Sequence, residues 1–224
     1  MSLGACTATK LNSAPWFAAL LRFNLQPASY AHPSWLPLWA RELEAITPRV
    51  RNALSIELLC EHHLDTVHDW DMHDRAGRLF MIGPDVRDQL ALVIGIAFHR
   101  DSLRQVVLKP RLNALRAVLG DALDTLWLPV AEAVERSPTA ISIAWTPLDS
   151  SSIRQTLIAD GYHQMLRLCD PTHRAVWGRA MLCMPRALAS RKVPALGGAP
   201  AARLLDGIVT DIIPRGASSW TWLF

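Results

Sequence analysis

The sequence lacks the features that indicate a nucleic-acid-binding or membrane-spanning protein. Only 19% of the 224 residues are charged, and the formal net charge of +3 is too small to indicate nucleic acid as a partner. The longest continuous apolar run, Leu90 to Phe98, is far shorter than the roughly 20 residues that cross a bilayer as a helix. We therefore expect neither nucleic-acid binding nor direct membrane insertion.

Recognisable catalytic and cofactor motifs are also missing. The chain contains no GxSxG nucleophile elbow, no GxxxxGK[ST] or GxGxxG phosphate-binding frame and no HExxH metal motif. The four cysteines (Cys6, Cys60, Cys169 and Cys183) form no CxxC pair, so a zinc knuckle is not predicted. No signal peptide is visible, and we expect reduced thiols in the cytoplasm. The sequence thus favours a protein that is not an enzyme and has no cofactor or bound metal.

Apolar residues are abundant, and their spacing predicts a mainly α fold. Half of the chain is apolar, which is enough for a substantial core. The most regular pattern runs from Val86 to Trp127, where apolar residues recur at spacings of three and four. Lys109-Pro110 divides this stretch, because proline keeps the preceding residue out of the helical region. We predict two helices packed as a central hairpin, around which the remaining helices assemble.

The rest of the chain is predicted to complete one compact helical domain. We expect a flexible leader over residues 1–14 and a single domain over residues 15–224, on which a C-terminal helix (201–213) packs. Thr139 to Trp145 alternates like a short strand, although an apolar loop or a buried helical turn fits it equally well. Further helices are predicted from this periodicity and from capping signals, with ranges Trp35 to Ile46 (capped by Ser34), Arg49 to Leu64, Ile153 to Leu168 and Arg174 to Leu188. In the second of these, Leu54, Leu58 and Leu59 are expected to face inward, and Gly161 is expected to interrupt the third. Arg75 to Asp85 contains two glycines and a proline and is predicted to be a loop.

The strongest charge anomaly is the stretch from Glu57 to Asp74. It holds acidic and histidine side chains but no Lys or Arg. It is interpreted either as a solvated polar loop or as an acidic surface that attracts a basic partner. An alternative hypothesis is a metal-dependent hydrolase that uses segment 61–74, since histidine and carboxylate are common metal ligands; its histidines are His62, His63, His68 and His73.

Tryptophan is frequent, with nine residues, and most are expected in the core. Trp35 and Trp39 are predicted as core anchors. Trp220 and Trp222 lie near the C-terminus, where exposure would create an adhesive patch and burial would fasten the tail to the fold. Burial is the favoured interpretation. The predicted partner-binding residues are Asp65, Asp69, Asp71, Asp74, Trp220 and Trp222.

Two blocks of the sequence resemble a known family. In the first, Arg22 to Arg41 (RFNLQPASYAHPSWLPLWAR), the pairs Arg22-Phe23 and Leu36-Pro37 surround a central PASYAH run. The second, Leu92 to Leu108 (LVIGIAFHRDSLRQVVL), is an apolar segment that leads to a histidine and then to LRQVVL. Their order and spacing are similar to those of the type III secretion K proteins, the SctK or YscK family.

The resemblance implies a non-enzymatic, mostly helical adaptor of the injectisome, the bacterial type III secretion apparatus. K proteins belong to its cytoplasmic sorting platform, which is needed for the secretion of effector proteins in virulence. There they link the cytoplasmic domain of the inner-membrane ring protein, the D subunit, to the pod protein, the Q subunit. Through the pod they connect indirectly with the L subunit and the ATPase. The implied location is therefore the cytoplasmic face of the inner membrane.

Overall fold

A computed structural model of the chain describes residues 14–41, 46–106, 108–127, 150–189, 198–216 and 218–224. Within these ranges the chain is helical and contains no strand, which confirms the mainly α prediction. No helix in the described part combines the length and apolar character needed to span a membrane. The segment Thr139 to Trp145 lies outside the described residues, as do residues 1–13 of the predicted leader.

The helices vary from one turn to five turns in length. Short 3-10 segments connect several of them, at Pro27–Ser29, Pro33–Trp35, Gly77–Met81, Gly120–Trp127 and Ser218–Leu223. The α-helices of the described ranges are, in chain order, α1 (Ala14–Leu25), α2 (Leu38–Arg41), α3 (Pro48–Glu61), α4 (Pro84–Phe98), α5 (Arg100–Arg104), α6 (Lys109–Leu119), α7 (Ser150–Leu168), α8 (Arg174–Leu182), α9 (Arg186–Ala189), α10 (Gly198–Gly207) and α11 (Ile213–Gly216).

The chain divides into two compact units. The first takes its residues from 1–84 and 169–192, together with Leu223, and the second from 85–168 and 193–222, together with Phe224. Each unit therefore combines segments that are distant in the sequence. The organisation as a single domain stays a prediction.

In the first unit, α1 and α3 bury the apolar faces that their sequences predict. Along α1, the side chains of Trp16, Leu20 and Phe23 are buried at spacings of four and three. Thr47 caps α3 by accepting a hydrogen bond from the amide of Val50 at 3.4 Å. The leucines of α3 that were predicted to face inward, Leu54, Leu58 and Leu59, are all buried.

The helix predicted from Trp35 to Ile46 is wrong. The chain instead forms a 3-10 turn at Pro33–Trp35, which the imidazole of His32 caps, and then the single turn of α2. Leu36 precedes Pro37 and is held in an extended conformation (φ −82°, ψ 150°), so the helix cannot run through it. As a consequence Trp39 is 53% exposed and is not a core anchor. Trp35 is partly buried, and its indole N–H donates to the carbonyl of Met184 at 2.8 Å.

The segment from Arg75 to Asp85, whose glycines and proline suggested a loop, carries part of the core. Its 3-10 turn at Gly77–Met81 is followed by Ile82, and four consecutive apolar side chains are almost completely buried there. These residues are Leu79, Phe80, Met81 and Ile82. The guanidinium of Arg22 donates to the carbonyl of Met81 at 2.8 Å, which fixes this turn to α1.

In the second unit, α4 is buried on nearly all sides and packs closely against α7. Added Cβ atoms at Gly95 and Gly161 would collide with the backbone carbonyls of Leu157 and Ala91, respectively. Glycine is therefore required where the two backbones approach each other. This contact also explains why α7 continues through Gly161, at which an interruption was predicted. A boundary between helices was predicted at Lys109-Pro110, and the structure places it earlier: α5 ends at Arg104, and α6 begins at Lys109 and packs on α7. Lys109 is already helical because Pro110 lies in the first turn of α6, where proline is tolerated.

Residues 201–213 are helical and bury an apolar face as predicted, but the helical stretch is longer, from Gly198 to Gly216, and continues through Pro214. A π-helical turn at Ile208–Ile212 joins α10 to α11. The buried side chains of this stretch are Leu204, Ile208, Ile212 and Ile213.

Candidate interaction surface

The acidic segment, residues 57–74, begins in the last turns of α3 and continues as an ordered loop in the first unit. A Schellman motif ends the helix: the amide of Leu64 donates to the carbonyl of Leu59 at 2.7 Å, and that of His63 to Cys60 at 3.1 Å. His63 adopts a positive φ of 54°, as the residue after the C-cap does in this motif. Leu64 then packs on Leu59 in the core. The loop therefore leaves α3 in one defined direction.

Arg179 of α8 holds the first half of this loop in place. Its side chain is completely buried, and its guanidinium donates to the carbonyls of Leu64 at 3.0 Å and Val67 at 2.8 Å. The same group donates twice to the carbonyl of Asn24, at 2.9 and 3.3 Å, and once to that of Ala175 at 3.0 Å. A single buried side chain thus ties the acidic segment to α1 and α8. Burial lowers the pKa of Arg179, whereas the nearby Tyr30 and Asp69 raise it.

Asn24, also fully buried, holds the second half of the loop. Its side-chain amide donates to the carbonyl of Asp69 at 2.8 Å, and its side-chain oxygen accepts from the amide of Asp69 at 3.1 Å. These two hydrogen bonds satisfy both backbone groups of Asp69. The segment is therefore an ordered structural element and not a loose solvated loop.

Two of the four aspartates predicted to bind a partner have structural roles in turns. The carboxylate of Asp69 accepts from the amides of Met72 at 2.8 Å and Asp71 at 3.2 Å. The carboxylate of Asp74 accepts from the amide of Ala76 at 2.9 Å. Met72, which lies between them, is fully buried and has a φ of 43°. Replacing Asp69 or Asp74 would therefore disturb the loop itself.

The outward side of the segment is acidic and includes an aromatic side chain. Asp65 and Asp71 are exposed, as are Glu57 and Glu61 of α3. Trp70 is 42% exposed and stacks on the imidazole of His68, with ring centroids 5.5 Å apart. The acidic surface is defined below by its exposed residues Glu57, Glu61, Asp65, Trp70 and Asp71.

The four histidines of the segment lie in different surroundings. His62 lies edge-on to Trp35 at 4.9 Å, and burial lowers its pKa. His68 stacks on Trp70, whereas His63 and His73 are exposed. Among the residues that the structure describes, no three His, Cys, Asp or Glu side chains come together as a metal site would require. The hydrolase hypothesis therefore receives no support from the geometry of this segment.

The C-terminal tryptophans of the second unit stack on each other, with ring centroids 5.9 Å apart. Trp222 is 37% exposed and Trp220 is half-buried, so the predicted burial of the pair is wrong for Trp222. The buried residue of the tail is Leu223, in the first unit, whose carbonyl accepts from Arg78 at 3.3 Å. Leu223 and its carbonyl thus fasten the end of the tail, and the side chain of Trp222 stays partly accessible.

Arg179 and Asn24 were not identified from the sequence, although a signal for both was present. Each is a polar residue on the apolar stripe of its helix: Arg179 lies four residues after Ala175, and Asn24 four residues after Leu20. A polar side chain at such a position must find hydrogen-bond partners when it is buried. The sequence could have flagged the two residues, but it could not have shown that both bind the acidic segment.

Comparison with known protein families agrees with the resemblance seen in the sequence. Residues 19–204 match the family model of YOP proteins translocation protein K (YscK). No curated protein and no solved structure matches the chain significantly. The family match includes most of both compact units and contains the acidic segment, Asn24 and Arg179. The chain therefore belongs to the YscK family and is a type III secretion protein.

Proposed function

We propose that this protein is a non-enzymatic adaptor of the type III secretion sorting platform, which links the D subunit of the inner-membrane ring to the pod Q subunit on the cytoplasmic face of the membrane. The family match over residues 19–204 is the observation that carries the proposal. Through the pod, the adaptor connects indirectly with the L subunit and the ATPase. Its role in effector secretion is to hold these neighbours together.

The acidic surface is the part of the first unit that we assign to partner binding. Its loop is fixed from inside by Arg179 and Asn24, so its outward side chains are presented without a large ordering cost on binding. Exposed carboxylates steer a basic partner towards this surface, and the exposed indole of Trp70 offers a large apolar contact of the kind found in binding hot spots. Its expected partner surface is therefore basic and contains an apolar or arginine contact for Trp70.

The adaptor role is tested in a strain that lacks this protein. We expect no pods beneath the secretion complexes and no effector secretion, and we expect the tagged protein to co-purify with the Q or D subunit. Intact pods together with normal secretion in the deletion strain would contradict the proposal.

The acidic surface is tested by the double variant Asp65→Lys/Asp71→Lys. Both side chains are exposed, so the fold should be retained, unlike in variants of Asp69 or Asp74. Each exposed ion pair contributes about 0.2–1 kcal/mol, and reversal adds repulsion, so we expect partner binding to weaken by roughly tenfold. The variant Asp121→Lys/Asp124→Lys makes the same charge change at exposed positions of the second unit and serves as the control. Equal pull-down of the Q and D subunits by both variants would remove this surface from the proposal.

A further inference from the structure

The second unit carries a segment whose charge is opposite to that of the acidic surface. From Ser102 to Gly120 the sequence contains four basic residues and no carboxylate, and Asp101 and Asp121 bound this stretch. The basic residues are Arg104, Lys109, Arg111 and Arg116. All four side chains are exposed.

Helix α6 presents most of this charge on the side away from the core. Its buried residues, Leu115 and Leu119, lie on one face, which leaves the opposite face solvent-accessible. At 100° per residue, Lys109 and Arg116 fall within about 20° of each other and form one edge of that face. Arg111 lies on the other edge. The exposed residues between the two edges are Pro110, Asn113, Ala114 and Ala117.

The same face has an apolar contact at its N-terminal end. Leu108 immediately precedes α6 and is 54% exposed. The exposed leucine and the small side chains next to it complement the apolar side of an amphipathic helix. The cations along both edges of the face complement acidic side chains on that helix. We name Leu108, Lys109, Arg111 and Arg116, with the alanines between them, the basic face.

We propose that the basic face binds an acidic amphipathic helix of a partner protein. The proposal rests on the adaptor role and deepens it, because the chain then presents two binding surfaces of opposite charge, one in each compact unit. A basic partner of the acidic surface would be repelled from the basic face, and an acidic partner would be repelled from the acidic surface. Charge alone thus keeps the two partners on their own units.

Other occupants fit the basic face less well. A membrane surface needs large apolar side chains to insert, but the face between the cations consists of alanine, asparagine and proline, with Leu108 at its end. Nucleic acid needs a larger positive excess than the net +3 of this chain. The acidic surface of a second copy would match in charge, but such a head-to-tail contact would build rings or open filaments and not a two-fold dimer.

The probe for this inference is a synthetic peptide of about 20 residues that forms an amphipathic helix, with glutamates on its polar face and leucine and alanine on the other. The control peptide carries lysine in place of each glutamate. Binding of the labelled peptides to the full-length protein is measured by fluorescence anisotropy at several salt concentrations. We expect the acidic peptide to bind, with an affinity that falls as salt rises, and the lysine peptide not to bind.

The diagnostic variant is Lys109→Glu/Arg116→Glu. Each exposed ion pair changes affinity by a factor of about 1.5 to 5, so reversal of two should weaken binding of the acidic peptide by roughly five- to tenfold. The matched control, Arg203→Glu/Arg215→Glu, makes the same charge change at exposed positions of α10 and α11 and should bind like the wild type. If the reversed variant fails to fold, Lys109→Gln/Arg116→Gln replaces it, with an expected loss of about two- to fivefold.

Several results would overturn the inference. One is equal peptide binding by the Lys109→Glu/Arg116→Glu variant and its control. A second is preferential binding of the wild type to phosphatidylserine vesicles or duplex DNA, lost in the same variant. A third is self-association in sedimentation that this variant abolishes, which would assign the basic face to a second copy. The peptide assay contains no other secretion protein, so its failure would leave the adaptor proposal standing, whereas normal secretion in the deletion strain would not change the peptide result.

Discussion

Replacement of Arg179 by methionine should destabilise the first unit strongly and loosen the acidic segment. Methionine has a similar length but no donors, so the buried carbonyls of Asn24, Leu64 and Val67 lose the guanidinium. The carbonyl of Ala175 is less affected, because it lies four residues before position 179 in the same helix and can accept the helical amide.

The magnitude follows from two opposing effects. Each buried acceptor left without a donor costs about 1–3 kcal/mol. The carbonyls of Asn24 and Val67 lose their donors, whereas that of Leu64 keeps the amide of Val67 at 3.4 Å. Against this, the variant no longer buries a charged guanidinium, and the lowered pKa of Arg179 indicates that its burial is unfavourable. We expect a net loss of about 2–4 kcal/mol in the free energy of unfolding. For a chain of this size the melting temperature should fall by about 4–16 °C.

Chemical denaturation followed by circular dichroism measures the loss of stability, and hydrogen exchange locates it. The amide of Val67 should exchange faster in Arg179→Met, because the first half of the loop, which contains it, is no longer held by the guanidinium. Arg179→Lys should recover only part of the loss, since an ammonium group cannot reproduce the planar fork that reaches several carbonyls. Arg174→Met, on the exposed side of the same helix, is the control and should change stability by less than about 0.5 kcal/mol. Equal stability of Arg179→Met and Arg174→Met, with unchanged exchange in the loop, would refute this account.

Two further predictions concern packing and pH. Gly161→Ala should destabilise the second unit by about 1–3 kcal/mol or more, because the new methyl group meets the carbonyl of Ala91 and only a backbone shift can relieve the collision. A denaturation midpoint equal to that of the wild type would contradict this prediction. For His62, burial lowers the folded-state pKa below the ordinary 6.5, so the unfolded chain binds more protons below that pH. Stability should therefore fall as the pH decreases from about 7 to about 5, and less steeply in His62→Gln; parallel pH profiles of the two proteins would show that His62 is not responsible.

The local structure of several elements was determined by the sequence alone. Leu54, Leu58 and Leu59 repeat with helical spacing, so the start of α3 and its buried face were predictable, although the predicted end at Leu64 lies three residues beyond Glu61. Pro110 likewise marked a boundary between helices, although it lies in the first turn of α6 and not between α5 and α6. The family blocks could also be recognised without coordinates, because family resemblance is carried by the order of residues.

Tertiary contacts determined how these elements pack and which residues they bring together. The sequence described residues 57–74 by their charge, but the order of that loop depends on Asn24 and on Arg179, which lies more than a hundred residues from the carbonyls of Leu64 and Val67. Periodicity likewise placed Trp39 in the core, and the glycine at position 161 predicted an interruption of α7; both predictions were wrong. Periodicity reports which side chains share a face of one element. It carries no information on which distant donor satisfies a buried carbonyl, or on where two backbones come close enough to require glycine, because those are decided when the elements pack.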